Sequence, residues 1–274
     1  MGVTDYRNMG GFMQVSIIMP VKDNKEITRV AIDSIKQYTK DFQLIIVDDG
    51  SNEETSRFLK SLPGIDYIRN ETSFGWCKAI NQGIKIAKAD LIVFANNDVV
   101  VTPDWFEKMK RHIDNKEHKV GVLGPVTNRV EGYQHIDFNK EGITFNKSDV
   151  VTFFFVMVKK ELMDKIGGLD ERFGLGGQDD ADYCIRAREA GYTVGIARDV
   201  FIYHYGSATF RNEFQNDAKV SSEFAESRIN ILRDKHRDKF DTGVKKRIYC
   251  CVPNGGKMVP ELAILFIQWS HDPR

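Results

Sequence analysis

Apolar and polar positions follow two rhythms from residue 15 onward. Short, largely apolar runs recur: VSIIMPV (15–21), the FQLIIV that opens 42–51, IDYIRN (65–70) and DLIVFA (90–95). Their continuous apolar character predicts strands, the last of them covered on both faces. The first ends at Pro20, and the second runs into the polar turn DDGS. Between the runs the spacing becomes helical. In KEITRVAIDSIKQY (25–38), Ile27, Val30, Ala31, Ser34, Ile35 and Tyr38 fall on one face. EETSRFLKSL predicts a helix closing at Pro63-Gly64, WCKAINQGIKIAKA (76–89) a third, and a fourth starts from Pro103, a residue suited to a first helical turn. This alternation predicts an α/β fold, a mainly parallel sheet with helices on both faces.

After about residue 115 the rhythm changes. KVGVLGPV (119–126) and DVVTFFFVMVKK (149–160) predict strands, whereas 127–149 is polar and irregular. Loops of that length in a compact domain are usually functional or mobile. ELMDKIGGLDERFGLGGQDDADYCIRAREAGY predicts a short helix, a glycine-rich loop and a second helix from about 179 to 190. TVGIARDVFIYHYGSATF (193–210) supplies one or two further strands. Residues 212–240 are charged and helical in pattern, and the last 35 read as an appended subdomain.

Composition adds bounds. The 274 residues suit one large α/β domain or a domain with an extension. At 42% hydrophobic and 28% charged the chain matches ordinary soluble proteins. Lys plus Arg equals Asp plus Glu at 39 each, so net charge gives no sign of a nucleic-acid partner, and the basic GVKKRIYCC (243–251) reads as a solvated face. Cys77, Cys184, Cys250 and Cys251 show no CxxC spacing, and the first two fall in predicted helices as small buried hydrophobes. That usage fits a reducing cytoplasm. MGVTDYRNMGGF lacks the apolar core of a secretory signal, and LAILFIQW (262–269) is too short to span a bilayer. A cytoplasmic protein is expected, with peripheral contact at the inner face of a membrane and homo-oligomer formation both left open.

Three acidic clusters, Asp48-Asp49, Asp98 and Asp179-Asp180, are expected where strands end, and ligands collect at the carboxyl ends of strands in open parallel sheets. In FANNDVVV (94–101) the strand runs into Asn96, Asn97 and Asp98, either a turn or a metal or phosphate site. Asp98 supplies the hard oxygen that Mg²⁺ or Mn²⁺ prefers, and His204 in YHYGS either adds an imidazole, which tilts the choice to Mn²⁺, or is structural. One of Asp48 and Asp49 could accept a hydrogen bond from a base or ribose, or could cap the helix near Glu53, a role open to Ser51 and Asn52 as well. Asp179 and Asp180 open a helix after Gly174, Gly176 and Gly177, as caps or as a general base held by a pliant loop. Asp182 and Arg186, four apart, predict a surface ion pair. Neither a P-loop nor a GxGxxG after a strand is present.

Together these segments resemble the family 2 glycosyltransferases over roughly residues 14–210. VSIIMPVKDN is similar to that family's opening strand and LIIVDDGSNEET to its second-strand signature. NETSFGWCKAINQGIKIAKADLIVFANNDVVV resembles the run leading to its metal-binding DxD element. GGLDERFGLGGQDDADYCIRAREAGY looks like its Gly-Gly-Phe-Asp element and acidic motif, and HYGSAT like its His-x-Gly-Ser element. The resemblance implies a GT-A (Rossmann-like) mixed, mainly parallel sheet flanked by helices over 14–211, and the helical pattern beyond it predicts a C-terminal helical extension over 212–274. It implies an inverting, metal-dependent enzyme that moves a sugar from a UDP, dTDP or GDP type donor to a hydroxyl of a glycan or glycoconjugate acceptor. Pro20, Lys22, Asp49, Lys78, Asn97 and Asp98 would line the nucleotide-sugar site. Asp98 and His204 would hold the Mn²⁺ or Mg²⁺, Asp180 would act as base, and Asp179 would be its companion. Two departures stand out. Asn96 or Asn97 replaces the first DxD acid, which predicts weaker metal affinity, and Asp179 stands where Glu is common, one methylene shorter. A sugar nucleotidyltransferase would need a Gly-rich, Lys-containing amino-terminal signature that is missing here. A non-catalytic sugar-nucleotide-binding module would not need the retained acidic pair.

Overall fold

A computed structural model of the chain describes residues 13–130, 133–206 and 218–240. Eight strands form one sheet in the order β3-β2-β1-β4-β8-β6-β9-β7. The first half is built from β1 (Val15–Val21), β2 (Phe42–Asp49), β3 (Asp66–Asn70) and β4 (Leu91–Ala95). These pair only in parallel, with Ile17 opposite Leu44 and Val93. Helices α1 (Lys25–Tyr38), α2 (Glu53–Ser61) and α3 (Trp76–Ile84) make the crossovers, as parallel neighbours require. In the second half β8 (Phe155–Lys159) runs antiparallel between β4 and β6 (Val120–Val126). Then β9 (Thr193–Phe201) pairs in parallel with β6, and β7 (Phe145–Lys147) closes the edge antiparallel to β9. The expected mixed, mainly parallel sheet flanked by helices is present.

Period-two alternation divides the core between the faces. Ile18, Ile45, Val47 and Phe94 pack with α3 and with Tyr183 and Cys184 of α6 (Asp179–Glu189). Ile17, Met19, Ile46 and Val93 pack with α1 and with Trp105 and Met109 of α4 (Trp105–Ile113). Cys77 and Cys184 are free and buried, as their helical setting predicts. Helix α5 (Lys160–Ile166) follows β8, and α7 (Ala218–Lys235) with the short α8 (Arg237–Phe240) supplies the expected helical extension. Among the described residues no helix is long and apolar enough to cross a membrane.

Several elements differ from expectation. The strand predicted over 149–160 is regular only from Phe155, because Val151, Phe153 and Phe154 are buried in irregular backbone. Burial there gives an apolar run with no ladder. Helix α3 stops at Ile84 rather than residue 89, since the amides of Lys88 and Ala89 turn to Ser16 Oγ at 3.1 and 3.0 Å. A two-residue ladder joins β5 (Val99–Val100) to β10 (Tyr203–His204), which folds His204 back beside the end of β4. Residues 243–251 and 262–269, with Cys250 and Cys251, lie outside the described residues.

Candidate active site

The carboxyl end of the parallel half gathers the predicted acids. Asp48 is fully buried, and its Oδ2 meets Arg69 Nη1 at 2.8 Å and the Tyr67 hydroxyl at 2.7 Å. Burial pushes its carboxyl up, but hydrogen bonds from Ser56, Ser51 and Tyr67 outweigh this and hold it below the usual range. Neither Asp48 nor Asp49 caps α2. Asn52 does, accepting from Thr55 N at 2.9 Å. Asp49 accepts from Asn70 Nδ2 (2.8 Å), Ser73 Oγ (2.7 Å), Phe74 N (2.9 and 3.1 Å) and Gly75 N (2.8 Å). A carboxylate offers about four lone-pair sites, so these donors saturate it. Its structural work is to pin the loop that opens α3. Lys78 rises from that helix with Nζ 3.7 Å from the Phe74 ring centroid. Pro20 and Lys22 are half-buried at the end of β1. The turn that follows is tied down by Asp23 Oδ1, which accepts from Asn52 N at 2.7 Å.

At the end of β4 the three polar residues part company. Asn97 turns inward and donates through Nδ2 to Thr28 Oγ1 of α1 at 2.8 Å, so its side chain is not brought to the acids. Asn96 turns the other way, its Nδ2 3.4 Å from His204 Nε2. Asp98 Oδ1 is buried without a hydrogen-bond partner and lies 3.2 Å from the same Nε2. His204 Nδ1 is 3.1 Å from the Arg129 carbonyl oxygen, which can only accept. Nδ1 therefore carries a hydrogen, which leaves Nε2 to face the Asp98 oxygen and the Asn96 amide. A proton on Nε2, or a cation held between the two atoms, would each satisfy this approach. Adjacent ligands on an octahedral ion bound at about 2.1 Å stand roughly 3 Å apart, so the pair fits a divalent ion. Among the described residues no group of three or more His, Cys, Asp and Glu gathers. Such an ion would therefore take its other ligands from water or phosphate oxygens, since Asn96 turns its Nδ2 to the site. Ring stacking on Phe154 at 5.0 Å, with His204 N donating to Asn128 Oδ1 at 2.9 Å and Asn128 Nδ2 donating to His204 O at 3.2 Å, fixes the imidazole.

The acidic pair begins α6 directly after the glycine loop. Asp179 is buried and accepts from Trp76 Nε1 at 3.1 Å; Asp180 is half-buried, with Oδ1 2.7 Å from Ala181 N. Both carboxyls are pushed up, first by burial, and for Asp180 next by the charge of Asp179. The Phe153 amide opposes the rise at Asp180. The stretch 153–154 thus touches both groups, reaching Asp180 through Phe153 and stacking on His204 through Phe154. One expectation is corrected here. Asp182 and Arg186 do pair, at 2.9 Å, but Asp182 is fully buried, because α7 covers this face of α6. The supports missed by sequence reasoning (Trp76, Asn128, Arg129, Phe153, Phe154) carry no charge pattern or spacing signal.

The family model described as glycosyl transferase family 2 matches residues 16–167, more than half of the chain. The O-antigen biosynthesis protein RfbC of Myxococcus xanthus is 26% identical over 232 residues, 73% of this chain and 18% of its own length. The chain spans 18% to 61% of the first curated relatives it matches. Among solved structures, GalNAc-T7 with UDP, GalNAc and Mn²⁺ superposes with a TM-score of 0.60 at 12% identity, covering 71% of this chain and 44% of that one. The mannosyltransferase PcManGT of Pyrobaculum calidifontis, in complex with GDP-Man and Mn²⁺, gives 0.59 at 16%, covering 74% and 61%. Likeness at that identity shows the fold, and the fold is GT-A.

Proposed function

Because the chain belongs to glycosyl transferase family 2, we propose that it transfers a sugar from a nucleoside-diphosphate sugar to an acceptor hydroxyl, with inversion at the anomeric carbon. The observation that carries this reading is the buried Asp98 Oδ1 without a hydrogen bond, faced at 3.2 Å by His204 Nε2 at the sheet's carboxyl rim. Asp98 and His204 would hold a divalent ion, Mn²⁺ being favoured over Mg²⁺ by the imidazole. When bound, that ion neutralises charge on the departing nucleoside diphosphate. The solved relatives with UDP and Mn²⁺ and with GDP-Man and Mn²⁺ support a diphosphate donor without choosing its base.

Pro20, Lys22 and Lys78 border the donor site. Asp49 acts on it through the loop it pins, since its oxygens are already taken. Asn97 supports the strand end through Thr28. Asp180 takes the proton of the acceptor hydroxyl, whose oxygen forms the new bond to the anomeric carbon. The bond from that carbon to the diphosphate oxygen breaks and leaves its electron pair there. Asp179 stays buried beside the base and raises its proton affinity, which suits abstraction near neutral pH. The acceptor class is a glycan or glycoconjugate.

Calorimetric titration with UDP, dTDP and GDP tests the donor site. One diphosphate is expected to bind with Mn²⁺ and to be lost in EDTA and in Asp98→Asn. Binding that is equal in EDTA and in the variant would overturn the assignment.

A further inference from the structure

Resting on that reading of Asp180, we propose that Lys235 of α7 is a positioning residue for the acidic pair, clamping the glycine-rich loop 174–178 from both of its ends. Lys235 Nζ lies 2.8 Å from Asp170 Oδ2 and 2.8 Å from Asp182 Oδ1. Asp170 caps the 3-10 turn Glu171–Phe173 that enters the loop, and Asp182 sits in the first turn of α6 that leaves it. One ammonium from the C-terminal helix therefore spans the base of the segment that presents Asp179 and Asp180.

The loop needs such a brace. Gly174, Gly176, Gly177 and Gln178 all have positive φ (56°, 103°, 85° and 71°), so no helix or strand ladder runs through it. Its own backbone bonds are short-range, Gly174 N to Glu171 O at 3.0 Å and Gly176 N to Phe173 O at 3.1 Å, and Cys77 N of α3 reaches Gly174 O at 3.0 Å. Helix α7 also lies against it. A Cβ on Gly177 would stand 3.4 Å from Phe224 Cε1 and 3.6 Å from Arg228 Cγ.

The charge arrangement separates clamping from folding. Asp182 is fully buried and also holds Arg186 Nε at 2.9 Å and His236 Nε2 at 2.8 Å. Asp170 also holds Arg172. Removing the Lys235 ammonium thus leaves each carboxylate a cationic or hydrogen-bonding partner and cuts only the link between them. A catalytic group displaced by about 1 Å can lose ~10²-fold in rate, so the link is expected to govern turnover.

The test compares full-length wild type, Lys235→Met and Lys235→Arg by donor turnover and by amide hydrogen exchange of residues 174–178, below the melting temperature of each. Lys235→Met is expected to lose about tenfold or more in kcat, with donor KM unchanged and loop exchange faster, and Lys235→Arg to restore both. Unchanged exchange, faster exchange with unchanged kcat, or a donor KM effect alone would each overturn the proposal. If wild type turns over no donor, the functional reading fails. The exchange comparison then decides the clamp, faster exchange supporting it and unchanged exchange overturning it.

Discussion

At the end of β4, Asn96 and Asp98 face His204 while Asn97 faces Thr28, so adjacent residues turn to the proposed ion site and to the scaffold separately. Asn97→Ala is expected to cost about 0.5–1.5 kcal/mol in urea unfolding through one lost hydrogen bond and to leave metal-dependent diphosphate binding intact. That division was not legible in FANNDVVV, which set Asn97 beside Asp98 at the donor site, because β4 ends at Ala95 and alternation has no force in the turn beyond it. Asp49 shows the opposite limit. Its place at the rim was legible, but the five contacts that saturate it come from Asn70 and residues 73–75, whose return to β2 is a tertiary event. The acidic pair gives a pH prediction. A base must be ionised, and burial with the Asp179 charge raises the Asp180 carboxyl, so kcat falls as pH is lowered through that raised value. Asp179→Asn removes the like charge, which lowers the Asp180 value and moves the acid limb of the kcat profile to lower pH. A limb that stays put would show that burial alone sets it.

At the scale of elements, β1 to β4 and their helices were legible because each is long enough to express a period. β7, β5 and β10 have three, two and two residues and express none. The run 149–160 was misjudged for a related reason: an apolar stretch announces burial, and burial does not require a ladder. The Asp182–Arg186 pair was legible as a spacing but not as a buried group, because the covering α7 arrives from about fifty residues further along. Asp182→Ala is expected to cost about 3–5 kcal/mol in urea unfolding, since it strands Arg186, Lys235 and His236 near one another without their shared anion. A loss no greater than that of a surface pair, below about 1 kcal/mol, would contradict the burial argument. Interactions with cations and hydrogen bonds hold the Asp182 and Asp170 carboxyls below their usual range. Their contribution is therefore full above the unfolded aspartate value of about 3.9 and is lost as pH falls below it toward the folded values.

The whole molecule joins two unlike halves of one sheet around a single rim. The parallel half brings Pro20, Lys22, Asp49 and Asp98 to the carboxyl ends of its strands, while the mixed half returns His204 through the β5–β10 ladder and sets α6 against the glycine loop. Helix α7 then closes on α6 through buried charge, which makes the C-terminal helix part of the architecture around the acidic pair. The most direct measurement is nucleoside-diphosphate release from a panel of UDP, dTDP and GDP sugars, with Mn²⁺ or EDTA, for wild type and Asp180→Asn. The account predicts Mn²⁺-dependent release from one donor, lost in EDTA and reduced at least about 10²-fold in the variant, as removal of a general base requires. Donor binding without release, or release unchanged by Asp180→Asn with acceptors present, would contradict it and leave Asp180 as a first-turn carboxylate of α6.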